Sequence, residues 1–333
     1  MNYIRQEDLH NWLADIGEEY RLTAPVEKDG VILYEPIQSL DEIVWDFEKP
    51  VNSIKEIFFP QTEILMELQI SGNGSDEIKE VIPTEKNILL NVRPCDAHGL
   101  NCLDAMFLDD SPPDVYYAAR RQNSVVMGLS CSHMGESCFC TSVGGSPGDT
   151  VGMDVMLSKY EEGFLVELLT PIGEALFSDL PVTEQVIEVE SPFEKGLFPV
   201  PNEEILKKSF DSELWGMQAE RCISCRICAY VCPTCRCFDI RDEVVGGSNG
   251  TKQANRIRCW DSCASEAYRR IAGGHNPRAS KIERLRNRVL CKLYYYPQQY
   301  GMLSCVGCGR CIDACPVGMD ITEIMSVLVE GPA

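Results

Sequence analysis

The chain of 333 residues predicts an α/β (or α+β) domain over 1–201, then a small cysteine-rich domain over 202–333 interrupted by a long insertion at 233–304. Three observations predict this. Short apolar runs alternate with stretches of helical spacing through the first part of the chain, as in a partly parallel sheet covered by helices. Three prolines in Ser191–Asn202 (SPFEKGLFPVPN) mark a linker. Beyond it, two cysteine runs form the one internal repeat found.

Taken in order, Met1–Tyr20 reads as an amphipathic acidic helix without the apolar core of a signal peptide. Asn87–Val92 (NILLNV) is a buried strand, and Leu100, Leu103 and Phe107 give Asp96–Phe107 helical spacing. Pro113–Gln122 is a second helix, with proline near its first turn. Ser124–Ser130, Val151–Leu157 and Gly163–Leu169 are strands, the last after a Glu-Glu-Gly turn. Gly72-Asn73-Gly74 is a polar turn. After the linker, Glu203–Phe210 and Ser212–Glu220 are helices. The insertion holds a glycine-rich hairpin at Gly246–Gly250 and a helix at Lys281–Lys292. A last helix spans Asp320–Val329 with Asp320 as N-cap.

The runs are Cys222-x2-Cys225-x2-Cys228-x3-Cys232-Pro233 and Cys305-x2-Cys308-x2-Cys311-x3-Cys315-Pro316. Two-residue gaps let three sulfurs of one tight loop reach three irons of a cubane. In bacterial two-cluster ferredoxins the last cysteine of each run ligates the other run's cluster. Cys222, Cys225, Cys228 and Cys315 are therefore assigned to one 4Fe–4S cluster, and Cys305, Cys308, Cys311 and Cys232 to a second. This makes residues 202–333 a bacterial-type two-cluster ferredoxin-like domain. Zinc sites instead pair Cys-x2-Cys motifs across a longer spacer, and disulfide frameworks suit small secreted chains.

Ten cysteines remain of the eighteen. Cys95, Cys131, Cys138 and Cys140 form a candidate third iron–sulfur site, weighed against burial as small hydrophobes. Cys235, Cys237, Cys259 and Cys263 form a candidate extra site, weighed against packing beside a cluster and S–H donation to it. Cys102 and Cys291 read as helix-packing residues. His98 and His133 lie near the N-terminal cysteines and are weighed as substitute ligands, but a surface or core role is the expectation for them.

Formal net charge is −21, the wrong sign for a duplex-binding protein. The exception is 251–292, where eleven basic residues face Asp261, Glu266 and Glu283. Lys281, Arg284, Arg288 and Lys292 share one face at helical spacing and Arg286 falls off it. They are either a solvated face or cations set against anionic clusters. Abundant thiols without a signal peptide indicate a reducing cytoplasm, and cluster chemistry favours an anaerobe. No stretch reaches membrane-span length. Neither G-x-G-x-x-G after a strand nor G-x-x-x-x-G-K-[ST] is present, so flavin and nicotinamide would belong to a partner.

Several longer motifs carry a family resemblance. They are SIKEIFFPQTE (Ser53–Glu63), RPCD (Arg93–Asp96), YYAARR (Tyr116–Arg121), CFC (Cys138–Cys140), CPTCRCF (Cys232–Phe238), WDSC (Trp260–Cys263), GGHNPR (Gly273–Arg278) and CVGCGRCIDACP (Cys305–Pro316). Together the chain resembles the β-subunit of cytoplasmic sulfhydrogenases and the A subunit of anaerobic sulfite reductase. WDSC and GGHNPR sit closer to the hydrogenase branch. The resemblance implies an electron-wiring subunit between an FAD- and NAD(P)H-binding partner and a terminal catalytic subunit of hydrogenase, heterodisulfide reductase or sulfite reductase type. Two alternatives are weighed. One is an oxidoreductase subunit with its own flavin or substrate site in the N-terminal domain. The other is a cluster- or zinc-based sensor or structural module.

Overall fold

A computed structural model describes residues 2–71, 76–178, 180, 182–184, 198–248 and 251–331. The turn at Gly72–Gly74, most of the Ser191–Asn202 linker and the hairpin residues Asn249 and Gly250 lie outside these.

The strands are β1 (Asn2–Arg5), β2 (Arg21–Lys28), β3 (Val31–Pro36), β4 (Thr62–Ser71), β5 (Glu77–Glu80), β6 (Asn87–Val92), β7 (Ser124–Leu129), β8 (Val155–Tyr160), β9 (Gly163–Leu168), β10 (Thr183–Glu184), β11 (Phe238–Ser248) and β12 (Thr251–Trp260). The helices are α1 (Gln6–Ile16), α2 (Lys55–Phe58), α3 (Pro94–Phe107), α4 (Val115–Gln122), α5 (Pro171–Leu176), α6 (Glu203–Lys208), α7 (Leu214–Arg221), α8 (Ile227–Tyr230), α9 (Lys281–Leu290), α10 (Tyr296–Tyr300), α11 (Arg310–Asp313) and α12 (Ile321–Glu330).

Eight strands form the main sheet in the order β10-β1-β9-β8-β7-β6-β2-β3. Its centre is parallel: β2 with β6, β6 with β7 and β7 with β8. Both flanks are antiparallel. Every residue of β6 and β7 is buried, which is why both read as continuous apolar runs. Ile88, Leu90, Val125 and Met127 join the core on one face, with Leu9 and Leu13 of α1. Leu89 and Val126 join the core on the other, with Leu100, Leu103 and Phe107 of α3. This split is the two-residue alternation of strand side chains.

Helix boundaries follow their caps. Asp114 accepts from the Tyr117 amide at 2.8 Å and starts α4, so Pro113 lies just before the helix rather than in its first turn. Ser280 and Glu283 form a capping box for α9. Asp320 accepts from the Thr322 amide at 2.7 Å and caps α12. Three expectations change. Residues 2–5 form a strand that pairs with β9 and β10, so the first helix spans only 6–16. The strand expected at Val151–Leu157 starts at Val155. The helix expected at Lys281–Lys292 is α9 followed by a π turn at Cys291–Tyr295.

A second sheet, β11-β12-β4-β5, is antiparallel throughout. The hairpin between the two cysteine runs thus pairs with strands of the N-terminal half. Buried Arg258 on β12 fixes it there, 2.7 Å from Glu63 on β4 and in contact with Asp114. The Trp260 indole N–H donates to the Phe59 carbonyl at 2.9 Å. A third core gathers Trp215 of α7, Val289 of α9 and Met325 of α12, with Phe139 from the N-terminal half.

Candidate functional site

The two cysteine runs repeat in backbone as well as in sequence. Ser224 and Arg226 have φ of 55° and 72°, and the matching Gly307 and Gly309 have 63° and 74°. These left-handed residues fold each run back on itself, and a single helical turn, α8 or α11, carries the third cysteine of each. In the second run glycine fits this conformation without strain. It is also required sterically, because a Cβ on Gly307 would come within 2.5 Å of Cys140 backbone.

One cavity is lined by Cys222, Cys225, Cys228 and Cys315, and also by Cys311 of the second set. The four cysteines assigned to the first cluster from both runs therefore face one space. Ile223, Ile227, Leu285 and Ile324 make its wall apolar. Backbone N–H groups point at two of the sulfurs, Ser224 to Cys222 at 3.5 Å and Met319 to Cys315 at 3.2 Å. Arg284 and Arg288 also line the cavity, and both are buried. Arg284 Nε has no hydrogen-bond partner. A buried, unpartnered guanidinium nitrogen beside four thiols suits an anionic thiolate-bound cluster.

The second set lies deeper. Burial pushes the Cys305, Cys308 and Cys311 thiols upward, to about 11 for Cys308 and about 12 for Cys311, and each feels the charge of Cys232. Cys232 goes the other way. A hydrogen bond from Cys235 holds its thiol well below the ordinary range, helped by Lys292 and Arg288. Lys292 Nζ stands 3.1 Å from Cys232 Sγ, 2.8 Å from Thr234 Oγ1 and 3.1 Å from the Ser304 carbonyl. Burial opposes charge on Arg288, yet the thiols of Cys228, Cys311 and Cys235 keep it protonated. Of the basic face read from sequence, Arg284, Arg288 and Lys292 turn inward to the cysteines. Lys281 reaches the Glu220 carbonyl and Arg286 covers Phe210.

The N-terminal cysteines also come together. Cys95 sits in the first turn of α3 and Cys131 just beyond β7, at the carboxyl ends of adjacent parallel strands. Open parallel sheets bind ligands at this end. Cys138 and Cys140 approach from the following loop. Burial raises Cys95, Cys131 and Cys140, and the charge of Cys131 is felt by Cys95 and Cys140. Arg310 Nη1 lies 4.0 Å from Cys95 Sγ, and Lys49 Nζ lies 3.8 Å from Cys138 Sγ. The loop packs on the second run, with the Phe139 amide donating to the Gly307 carbonyl at 2.8 Å. His98 faces Asp149 at 3.3 Å and His133 faces Ser132 at 3.0 Å.

The cysteines between the two runs divide. Cys235 touches Cys232, Cys237 touches Cys263, and Cys263 feels Cys235. Cys259 does not join them: it sits on β12 between Asp239 and Thr62, among Arg241, Asp239, Asp261 and Glu243. Cys102 is buried in α3, as its helix-packing role requires. Among the described residues no three His, Cys, Asp or Glu side chains close on a single metal ion. Ligands of a cluster stand at the corners of a larger body.

Sequence reading missed two buried cations outside the basic stretch 251–292. Lys55 is buried, with Nζ 3.2 Å from the Tyr230 carbonyl and 3.8 Å over the Trp260 ring. Arg310 is buried against Asp96 at 2.5 Å. Both fall inside motifs quoted for the family resemblance, but nothing local marks a charge as buried.

A family model described as a 4Fe-4S dicluster domain matches residues 221–319. The chain is 32% identical over 337 aligned positions to Sulfhydrogenase 2 subunit beta of Pyrococcus furiosus, covering 97% of this chain and 96% of that protein. No solved structure matches. With identity of this level along nearly the whole length, and with the 4Fe–4S domain where the repeated loops lie, the chain belongs to the sulfhydrogenase β-subunit family.

Proposed function

We propose that the chain is the iron–sulfur electron-transfer subunit of a cytoplasmic multisubunit oxidoreductase. It would join a flavin- and NAD(P)H-binding partner to a terminal catalytic subunit. The relative is a sulfhydrogenase subunit, which favours a hydrogenase-type terminal partner over heterodisulfide or sulfite reductase types. The observation that carries this reading is the shared cavity of Cys222, Cys225, Cys228 and Cys315. It joins the first three cysteines of one run to the last of the other.

Two 4Fe–4S clusters are assigned, one to that set and one to Cys232, Cys305, Cys308 and Cys311. Cys95, Cys131, Cys138 and Cys140 are assigned to a third. The segment 233–304 is an insertion in a dicluster domain over 202–333. When bound, such clusters accept and release single electrons. The protein's part is to hold them apart from solvent and set their potentials. Arg284, Arg288, Lys292, Lys49 and Arg310 supply positive charge, and the Ser224 and Met319 amides point at sulfur. A flavin site in the N-terminal domain is less well supported. The turn after β6, where a phosphate-binding loop would lie, is Arg93-Pro94-Cys95.

The test is iron and acid-labile sulfide in protein purified without oxygen, for the native chain and Cys315→Ser. The variant should lose about four irons and the reduced-state paramagnetic signal of the first cluster. Retention of that signal would refute the crossed ligation, and native protein without iron would refute the reading altogether.

A further inference from the structure

A separate cavity of about 360 Å³ lies behind the second cysteine set. Four thiols line it: Cys235, Cys237, Cys263 and Cys291. They come from three separate segments, the turn after the first run, the loop after β12 and the start of the π turn. Cys237 and Cys263 are in side-chain contact, and Cys235 is their electrostatic neighbour. Cys291 read as helix packing in the sequence, yet it opens onto this space at a π turn. Such turns are frequent at functional sites.

Charge points the same way. Arg236, Arg269, Arg288 and Lys292 line the cavity against one carboxylate, Asp110. Arg288 and Lys292 are 7% and 4% exposed, so water does little to stabilise them. Arg288 and Lys292 also face the sets of Cys228 and Cys232, and with Arg236 and Arg269 they give the four thiols a positive surrounding that suits an anion held by thiolates. A thiolate-ligated cluster is such an anion. A free oxyanion would leave the thiols idle, and a lone metal ion does not fit because no three thiols converge on one point.

We propose that Cys235, Cys237, Cys263 and Cys291 ligate a further iron–sulfur cluster, beside the set of Cys232, and that Cys259 takes no part. Four cysteines hold either a 2Fe–2S or a 4Fe–4S core. The proposal rests on the chain being an iron–sulfur protein, and the experiment separates the two.

Full-length protein is purified without oxygen as native, Cys263→Ser, Cys291→Ser, Cys259→Ser and Cys315→Ser. Iron, sulfide and the reduced-state paramagnetic spectrum are measured on each. Cys263→Ser and Cys291→Ser should each lose about two or about four irons, the number giving the core type, while keeping the signal that Cys315→Ser removes. That retained signal shows that the variants are folded. Cys259→Ser should keep the native iron. Native iron content in Cys263→Ser and Cys291→Ser overturns the proposal. So does a Cys237–Cys263 disulfide found by peptide mapping of the native protein. If Cys263→Ser does not accumulate, Cys291→Ser alone decides by the same readout. Native protein with iron that these variants do not reduce defeats this site only. Native protein without iron defeats the electron-transfer reading with it.

Discussion

Lys292 has two oxygen atoms and one sulfur as its hydrogen-bond partners and no carboxylate among them. Reduction adds negative charge to a cluster, so a buried cation against Cys232 stabilises the reduced form. Lys292→Met should lower the potential of the cluster proposed for Cys232, Cys305, Cys308 and Cys311. A lost interaction of about 1.4 kcal/mol corresponds to about 59 mV for a one-electron couple. Lys292→Arg should restore most of it, and a spectroscopic redox titration reads both. An unmoved potential would mean that the charge is matched elsewhere. Lys292 and Arg288 were legible in the sequence because they lie four apart on one helix face. Lys55, Lys49 and Asp96 were not. Each has a partner far along the chain that no local pattern announces, Tyr230 for Lys55, Asp313 for Lys49 and Arg310 for Asp96.

The two cysteine loops depend on left-handed residues, and the second depends on glycine. A Cβ on Gly309 would come within 2.3 Å of Ser137 Oγ, and its φ of 74° already disfavours a side chain. Gly309→Ala should destabilise the protein by about 1–3 kcal/mol. It should also weaken iron retention in the second and N-terminal sets together, because the loop 137–140 packs on that run. Chemical denaturation and iron analysis check this, and loss confined to one set would contradict the shared packing. The cysteine loops were legible because ligation fixes their spacing, and β6, β7, α3 and α12 because burial and capping leave periodic or terminal signals. The first strand was hidden by its length, four residues before a stronger helical pattern. The second sheet was hidden because β5 (EIKE) is wholly exposed and β11 is largely so, which leaves no apolar alternation to read.

At the scale of the molecule, the linker suggested two separate bodies, but long-range contacts join them. Arg310 of the second run reaches the Pro50 carbonyl at 2.7 Å and Asp96 at 2.5 Å, where both charges are buried. Arg310→Met leaves Asp96 buried without its cation and should cost about 3–5 kcal/mol in stability. The measurement is denaturant unfolding, with the Asp96→Asn, Arg310→Met double variant losing less than the single. A loss below 1 kcal/mol would mean that the pair is not what joins the halves. The joining was illegible in sequence because strand pairing between Thr62–Ser71 and Thr251–Trp260 leaves no mark in either segment. It also has a consequence for synthesis. While the ribosome is still making the cysteine-rich half, one margin of β4 lacks its neighbour and carries open backbone donors and acceptors beside Ile64 and Ile70. The nascent chain must be kept from self-association until residues 251–260 emerge, so this protein matures late, however early its first sheet forms.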